Sequence, residues 1–264
     1  MYIHFEKKRE LNPEKLHDPV VLIGFPGIAL VGKLAITAIR DSIDAKLLMN
    51  IQYFDFPPKS TVEEGKLDIP TAKLYFKRRK SNDLLILTAD YQPQTPEGVF
   101  EFSKEFCEMM DELTQGKIKM YISVGAMVSD KPIEDEIPMV FISGTDDKLM
   151  KSFLTFENTE LMENGVIAGA NGILPAWAGA NGFAPGICLL AETVPMHMIN
   201  LNPKASKRLV TVLKDYFNID MTYDELDKKI EEMEEMLDQF KEKTNHFMRQ
   251  SREPKGSGAD SYFR

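Results

Sequence analysis

Residues that bind metals or carry redox chemistry are scarce in this sequence. It contains only two cysteines and four histidines among 264 residues. Cys107 and Cys188 do not form a C-x-x-C pair, and the histidines show neither H-x-x-x-H nor H-E-x-x-H spacing; they are His4, His17, His197 and His246. We therefore expect buried free thiols in a reducing compartment, no metal site and no cofactor.

Long apolar runs and an excess of positive charge are also missing. No apolar run approaches the roughly 20 residues that a membrane-spanning helix requires, and residues 1–10 lack the apolar centre of a signal peptide. The net charge is −9, and the only dense basic run lies at residues 77–80, where a solvated turn is the favoured interpretation. Such a chain would be repelled by nucleic-acid phosphates. These absences predict a cytoplasmic protein that binds neither membranes nor nucleic acid.

Apolar runs that alternate with amphipathic stretches make up most of the chain. Buried strands are predicted at Val20–Gly24, Lys46–Gln52, Ala72–Arg78, Leu84–Thr88, Ile118–Val124, Val140–Ser143, Gly165–Gly169 and Ile187–Ala191. Helices are predicted from Leu30 to Ile39, Pro96 to Leu113, Asp147 to Phe153 and Pro203 to Phe217. This alternation indicates a three-layer α/β/α domain with a mostly parallel, mixed sheet over residues 1–217.

The chain changes character after residue 217. Residues 222–250 are charged and contain neither glycine nor proline, and Thr222 with Glu225 forms a capping box. Apolar residues four and three apart form a short coiled-coil-like seam: Leu226, Ile230, Met233, Leu237 and Phe240. We predict a helical extension over residues 218–250, whose seam either packs on its own domain or mediates self-association.

The final segment, residues 251–264, begins with a polar stretch rich in glycine and serine that is typical of a flexible tether. Two adjacent aromatic residues, Tyr262 and Phe263, then precede the terminal Arg264. Exposed aromatic rings at the end of a tether are better explained as a ligand for a pocket on another protein. We therefore predict that residues 262–264 are a partner-binding motif.

One segment has the spacing of a phosphate-binding loop. Gly27, Gly32 and Lys33 match G-x-x-x-x-G-K after a buried strand. However, Leu34 stands where a hydroxyl would hold magnesium, and the residues between the glycines are apolar. A close helix contact at Gly32 is therefore the favoured interpretation.

Two further patterns could carry chemistry. Gly169-Ala170-Asn171-Gly172 is repeated as Gly179-Ala180-Asn181-Gly182, with Trp177 between the two copies as a potential stacking surface. Turn scaffolding or a subunit interface is favoured over a small-molecule site. Two further groups follow strands: Glu192 with His197, and Asp90. Neither group has the partners of a recognisable catalytic arrangement. The G-x-S-x-G motif of α/β-hydrolases is also missing.

Two of these motifs together carry a family resemblance. The signature loop, Gly24-Phe25-Pro26-Gly27 followed by Gly32, resembles the opening of the archaeal branch of the proteasome assembly chaperone family. The block from Gly169 to Thr193 is similar to a second motif of that family. The resemblance covers about residues 18–217.

The resemblance implies a nucleoside-phosphorylase-like fold without an active site, and homo-oligomers or heteromers with a paralogue. It also implies binding to the α subunits of the proteasome core particle through a C-terminal hydrophobic-tyrosine-X tail. Tyr262, Phe263 and Arg264 would occupy the three tail positions, with Phe263 departing from the usual tyrosine. We therefore expect a non-catalytic proteasome assembly chaperone or activator. The alternatives are an enzyme acting on a small molecule and a regulatory scaffold for another partner.

Overall fold

The secondary structure comes from a computed structural model that describes residues 2–129, 137–193, 201–232 and 235. The strands are β1 (Ile3–Lys7), β2 (Val20–Gly24), β3 (Lys46–Tyr53), β4 (Thr61–Glu63), β5 (Lys66–Asp68), β6 (Thr71–Lys77), β7 (Leu84–Ala89), β8 (Met120–Val128), β9 (Val140–Gly144), β10 (Thr159–Leu161) and β11 (Gly186–Thr193). The helices are α1 (Val31–Ser42), α2 (Pro96–Thr114), α3 (Asp147–Phe153), α4 (Ala170–Ala180) and α5 (Pro203–Phe217), and residues 224–232 form a further helix, α6. Within these ranges, no helix combines the length and apolarity needed to cross a bilayer.

A nine-stranded sheet organises the described part of the chain, in the order β1-β3-β6-β7-β2-β8-β11-β9-β10. The four central strands, β7, β2, β8 and β11, are parallel to one another. Antiparallel pairs flank them on both sides. The predicted mostly parallel, mixed sheet is therefore confirmed.

Helices cover both faces of this sheet. One apolar core lies between the sheet and α1, α3 and α5, and it includes Leu22, Ile36 and Leu209. The other lies between the sheet and α2 and α4, and it includes Ile23, Phe102 and Leu174. Because Leu22 and Ile23 point to opposite faces, β2 is apolar along its whole length, as a strand buried on both sides must be. The predicted three-layer arrangement is confirmed.

Capping residues set the start of two helices, α2 and α5, and both begin at the predicted residue. The Thr95 side chain accepts a hydrogen bond from the Gly98 amide before α2, and the Asn202 side chain accepts one from the Ala205 amide before α5. A proline follows each cap at the first helical position, where its missing amide hydrogen costs nothing.

The glycine-rich block was predicted only in part. Residues 165–169 form no strand, and the two Gly-Ala-Asn-Gly motifs lie at the two ends of helix α4, where Asn181 and Gly182 form a turn and Gly169 and Gly182 have positive φ, as the turn interpretation expects. Close packing accounts for two other glycines of the block. A Cβ atom at Gly172 would lie 2.2 Å from the carbonyl oxygen of Ile167, and one at Gly186 would lie 1.9 Å from that of Pro175.

A separate two-stranded hairpin, β4 with β5, was missed. We call residues 61–68 the arm. Its two turn residues, Glu64 and Gly65, both have positive φ (49° and 78°), as a type I′ hairpin turn requires. The arm does not join the nine-stranded sheet, and Val62 pairs directly with Leu67 across it.

The helical extension begins on the core domain. Leu226 is 2% exposed and packs with the α1–α5 core, and Ile230 is half-buried. Tyr223, just before α6, lies against Lys214 in the second half of α5 and against Lys207, and Asp227 forms an ion pair with Lys207 in the first half, so α6 runs antiparallel to α5. Met233, Leu237 and Phe240 lie outside the described residues. Self-association through this seam, and the domain boundaries at 217 and 250, remain predictions.

Candidate functional site

The signature loop lies where β2 ends, at the carboxyl ends of the parallel strands. In open α/β sheets this edge is where ligands usually bind. A Cβ atom at Gly32 would lie 2.2 Å from the carbonyl oxygen of Val124, and one at Gly24 would lie 2.6 Å from that of Gly32. The two glycines therefore allow α1 to press against β2 and β8. This geometry supports the close-contact interpretation of Gly32.

Asn171, which lies 146 residues after Phe25 in the sequence, holds the signature loop in place. Its side-chain oxygen accepts a hydrogen bond from the Phe25 amide (3.0 Å), and its side-chain nitrogen donates to the Phe25 carbonyl (3.2 Å). Asn171 is buried, so both backbone groups of Phe25 are satisfied away from water. The two motifs that carry the family resemblance thus bind each other directly. We call this pair of hydrogen bonds the Asn171 clamp.

Gln92 forms a second link between the same elements. Its side-chain nitrogen donates to the Pro26 carbonyl, and its side-chain oxygen accepts from the Ala170 amide (2.9 Å) at the start of α4. Gly169 has a φ of +74°, and a Cβ there would lie 2.1 Å from the Gln92 oxygen. Only glycine meets both conditions. No local pattern points to Gln92, because its hydrogen-bond partners are distant along the chain.

The floor beneath the clamp is polar but sealed. The Ser123 hydroxyl donates to the Asn171 carbonyl, and the Cys188 thiol lies 3.2 Å from the same oxygen. Burial raises the pKa of the Cys188 thiol to about 11 and that of the Cys107 thiol to about 12. Both cysteines are free and buried, as predicted, and both are neutral thiols at physiological pH.

The turn between β2 and α1 is strained. Ala29 and Leu30 both adopt left-handed backbone conformations, with φ of 47° and 51°. Such conformations are unfavourable for residues with a side chain and persist only where neighbours hold them. Here the Asn202 amide donates to the Ala29 carbonyl (2.9 Å). The turn leaves Ile28 about half exposed at the carboxyl edge.

An apolar cleft of about 380 Å³ opens beside this turn. Its lining comes from the signature loop, the end of β8, residues 162–168 and the end of β11. The polar side chains in the lining, Gln92 and Asn171, have both their oxygen and their nitrogen in the hydrogen bonds described above. The remaining side chains are apolar, and they include Ile28, Val128 and Val166. The cleft therefore suits an apolar occupant better than a polar small molecule.

The other candidate groups do not assemble into a catalytic arrangement. Lys33 forms an ion pair with Asp90 at 3.5 Å on the surface. Glu192 is half-buried, and His197 lies outside the described residues. Trp177 packs against Phe100, with ring centroids 6.1 Å apart, and does not line the cleft. Among the residues that the structure describes, no three His, Cys, Asp or Glu side chains are grouped to hold a metal ion.

The predicted partner-binding motif, Tyr262, Phe263 and Arg264, lies outside the described residues. Its role therefore stays a prediction from the sequence. The carboxyl edge, with its clamp, strained turn and apolar cleft, is the candidate site that the geometry supplies.

Comparison with known proteins places this geometry in context. The model of the PAC2 family matches residues 21–241. Uncharacterized protein MJ1210 of Methanocaldococcus jannaschii is 26% identical over 221 residues, which cover 83% of this chain and 81% of that protein.

Two solved structures from Pyrococcus furiosus share the fold. PbaB, described as an archaeal proteasome activator, superposes with a TM-score of 0.80 at 22% identity, over 90% of this chain and 98% of PbaB. PbaA, described as an archaeal homologue of proteasome-assembly chaperone, has a TM-score of 0.72 at 22% identity, over 94% of this chain and 95% of PbaA. At this level of identity the likeness establishes a common fold.

Proposed function

Because the chain belongs to the PAC2 family, we propose that it is a non-catalytic assembly chaperone or activator that binds the α subunits of the proteasome core particle. The observation that carries this proposal is the family match over residues 21–241, together with the fold shared with PbaB and PbaA. The saturated polar groups of the cleft give no support to the alternative of a small-molecule enzyme.

The C-terminal motif supplies the contact with the core particle. Phe263 enters an apolar pocket between α subunits, and the carboxylate of Arg264 pairs with a lysine of the receiving subunit. The hydroxyl that a tyrosine would offer is lost at Phe263, so one tail binds weakly. An assembly that presents several tails at once binds effectively, because each later tail engages at high local concentration.

Capture of purified core particle by the immobilised full-length protein tests this proposal. We expect capture by the intact chain and none by a chain lacking residues 262–264. Adding one glycine after Arg264 keeps both aromatic rings but moves the carboxylate, so it should also abolish capture. Phe263→Tyr should strengthen capture, and Ser257→Ala in the tether serves as the matched control. Equal capture with and without residues 262–264 would refute the tail mechanism.

A further inference from the structure

The arm is an exposed structure that lacks a partner within the described residues. Its Val62 and Leu67 are 67% and 75% exposed although they pair side by side. An isolated two-stranded hairpin is at best marginally stable in water. Leaving the side chains of Val62 and Leu67 in contact with water carries a further free-energy cost. A covering surface would remove both costs.

The apolar cleft is the matching concavity. Its exposed apolar side chains include Ile28, Val128 and Val166, which are 49%, 41% and 91% exposed. Because its polar side chains bond to neighbouring backbone groups, an apolar side chain can enter without stranding a buried polar atom. The arm of the same chain is not among its lining residues.

Arm and cleft lie on the same edge of the sheet. The arm connects the end of β3 to the start of β6, and the Asp90 amide after β7 donates to the Thr71 carbonyl there. The cleft is formed where β2, β8 and β11 end. Three strand spacings separate β6 from β8, or about 14 Å. One chain therefore presents a projection and a cavity at the same edge of the sheet.

We propose that this edge is the surface through which two copies of the chain associate, with the arm of each copy packed into the cleft of the other. A two-fold interface requires one patch that is complementary to itself, and a neighbouring projection and cavity of the same apolar character meet that requirement. The inference goes beyond the proposed function and does not depend on it, since it concerns a surface distinct from residues 262–264.

Sedimentation of the full-length protein tests the proposal. The wild type should form dimers or larger assemblies, whereas Val62→Glu/Leu67→Glu in the arm, or Val166→Glu in the cleft, should dissociate about thirtyfold more readily, as expected for central interface residues. Leu161→Glu is the matched control, because Leu161 is 41% exposed on β10 and belongs to neither the arm nor the cleft. Circular dichroism and urea unfolding should show that all the variants remain folded.

Mixing the arm variant with the cleft variant sharpens the test. Each variant alone keeps no intact arm-to-cleft contact in a dimer, whereas a mixed dimer keeps one. We therefore expect complexes in the mixture that neither variant forms alone. Masses equal to those of the Leu161→Glu control, or no complex on mixing, would overturn the proposal.

A monomeric wild type would also overturn it and would assign the face to a different partner. In that case, weaker capture of core particle by Val166→Glu would identify the core particle as that partner. Removing residues 262–264 should leave the sedimentation unchanged, so this proposal and the tail mechanism can fail separately.

Discussion

The signature loop and the arm are opposites, although both lie at the carboxyl edge of the sheet. At the start of the loop, Gly24 and Phe25 are buried, the Asn171 clamp bonds both backbone groups of Phe25, and Gly24 and Gly32 each lie against neighbouring backbone; only Gly27, at its far end, is exposed. In the arm, Thr61, Val62 and residues 64–68 are exposed, and the arm stands apart from the main sheet. The buried residues of the two family motifs therefore hold the scaffold together, whereas the exposed arm lies outside both motifs.

The largest expected effect is a loss of stability on substitution of Gly32, and Gly27 in the same region serves as the comparison. Gly32→Ala places a methyl group 2.2 Å from a backbone oxygen, whereas a methyl group at Gly27 meets no atom closer than 3.9 Å. We expect Gly32→Ala to lower the free energy of unfolding by about 3 kcal/mol and Gly27→Ala by about 0.5 kcal/mol or less. Urea unfolding measures both. Equal losses would show that the loop is not packed as described.

The two Gly-Ala-Asn-Gly motifs provide the next test. Asn171→Ala leaves the buried amide and carbonyl of Phe25 without partners, which should cost about 2–3 kcal/mol of unfolding free energy. Asn181→Ala removes an exposed hydrogen bond to the Trp177 carbonyl, and should cost about 0.5 kcal/mol. Chemical denaturation distinguishes them. A large loss at Asn181 would contradict the assignment of the clamp to the first motif alone.

A smaller effect depends on pH. Burial raises the pKa of the Cys188 thiol to about 11, while the unfolded thiol ionises near its ordinary value of about 8.5. Stability from the neutral thiol is fully present below the unfolded pKa and is lost as pH rises through the folded pKa. Between pH 8 and pH 10 the wild type should lose about 2 kcal/mol more unfolding free energy than Cys188→Ser. Parallel pH dependences would show that the floor of the clamp is open to water.

The arm should show the smallest effect. Val62→Ser/Leu67→Ser removes apolar groups that are 67% and 75% exposed, so the unfolding free energy of the monomer should change by about 0.5 kcal/mol or less. Thermal or urea unfolding at low protein concentration measures it. A loss approaching that of Asn171→Ala would remove the contrast between loop and arm.

The fold was largely predictable because its main elements carry local signals. Buried strands such as β2 and β7 are continuous apolar runs, and α5 begins with Asn202 and Pro203. These signals depend on neighbouring residues alone. Helix α4 was missed because its glycines, asparagine and Pro175 are poor helix formers, and packing against distant segments offsets their low propensity.

The candidate site was less predictable. Asn171 and Phe25 lie 146 residues apart, and no spacing rule links them. The left-handed turn at Ala29 and Leu30 has no glycine at those two positions to announce it. The arm did carry a readable signal, the Glu64-Gly65 turn between two short apolar-containing strands, and careful attention to turn residues would have found it.

The antiparallel course of α6 along α5 has a geometric consequence for any assembly. The aromatic ring of Tyr223 lies near Lys214 and Lys207, and one turn later Asp227 forms an ion pair with Lys207, nearer the beginning of α5. Over its described residues, 224–232, α6 therefore points towards the carboxyl edge of the sheet, which also carries the arm. If copies join through that side, the points from which their C-terminal segments depart are brought near one another. The distance between the two C-terminal motifs of such a dimer would then depend on the symmetry of the interface as much as on the length of the tether.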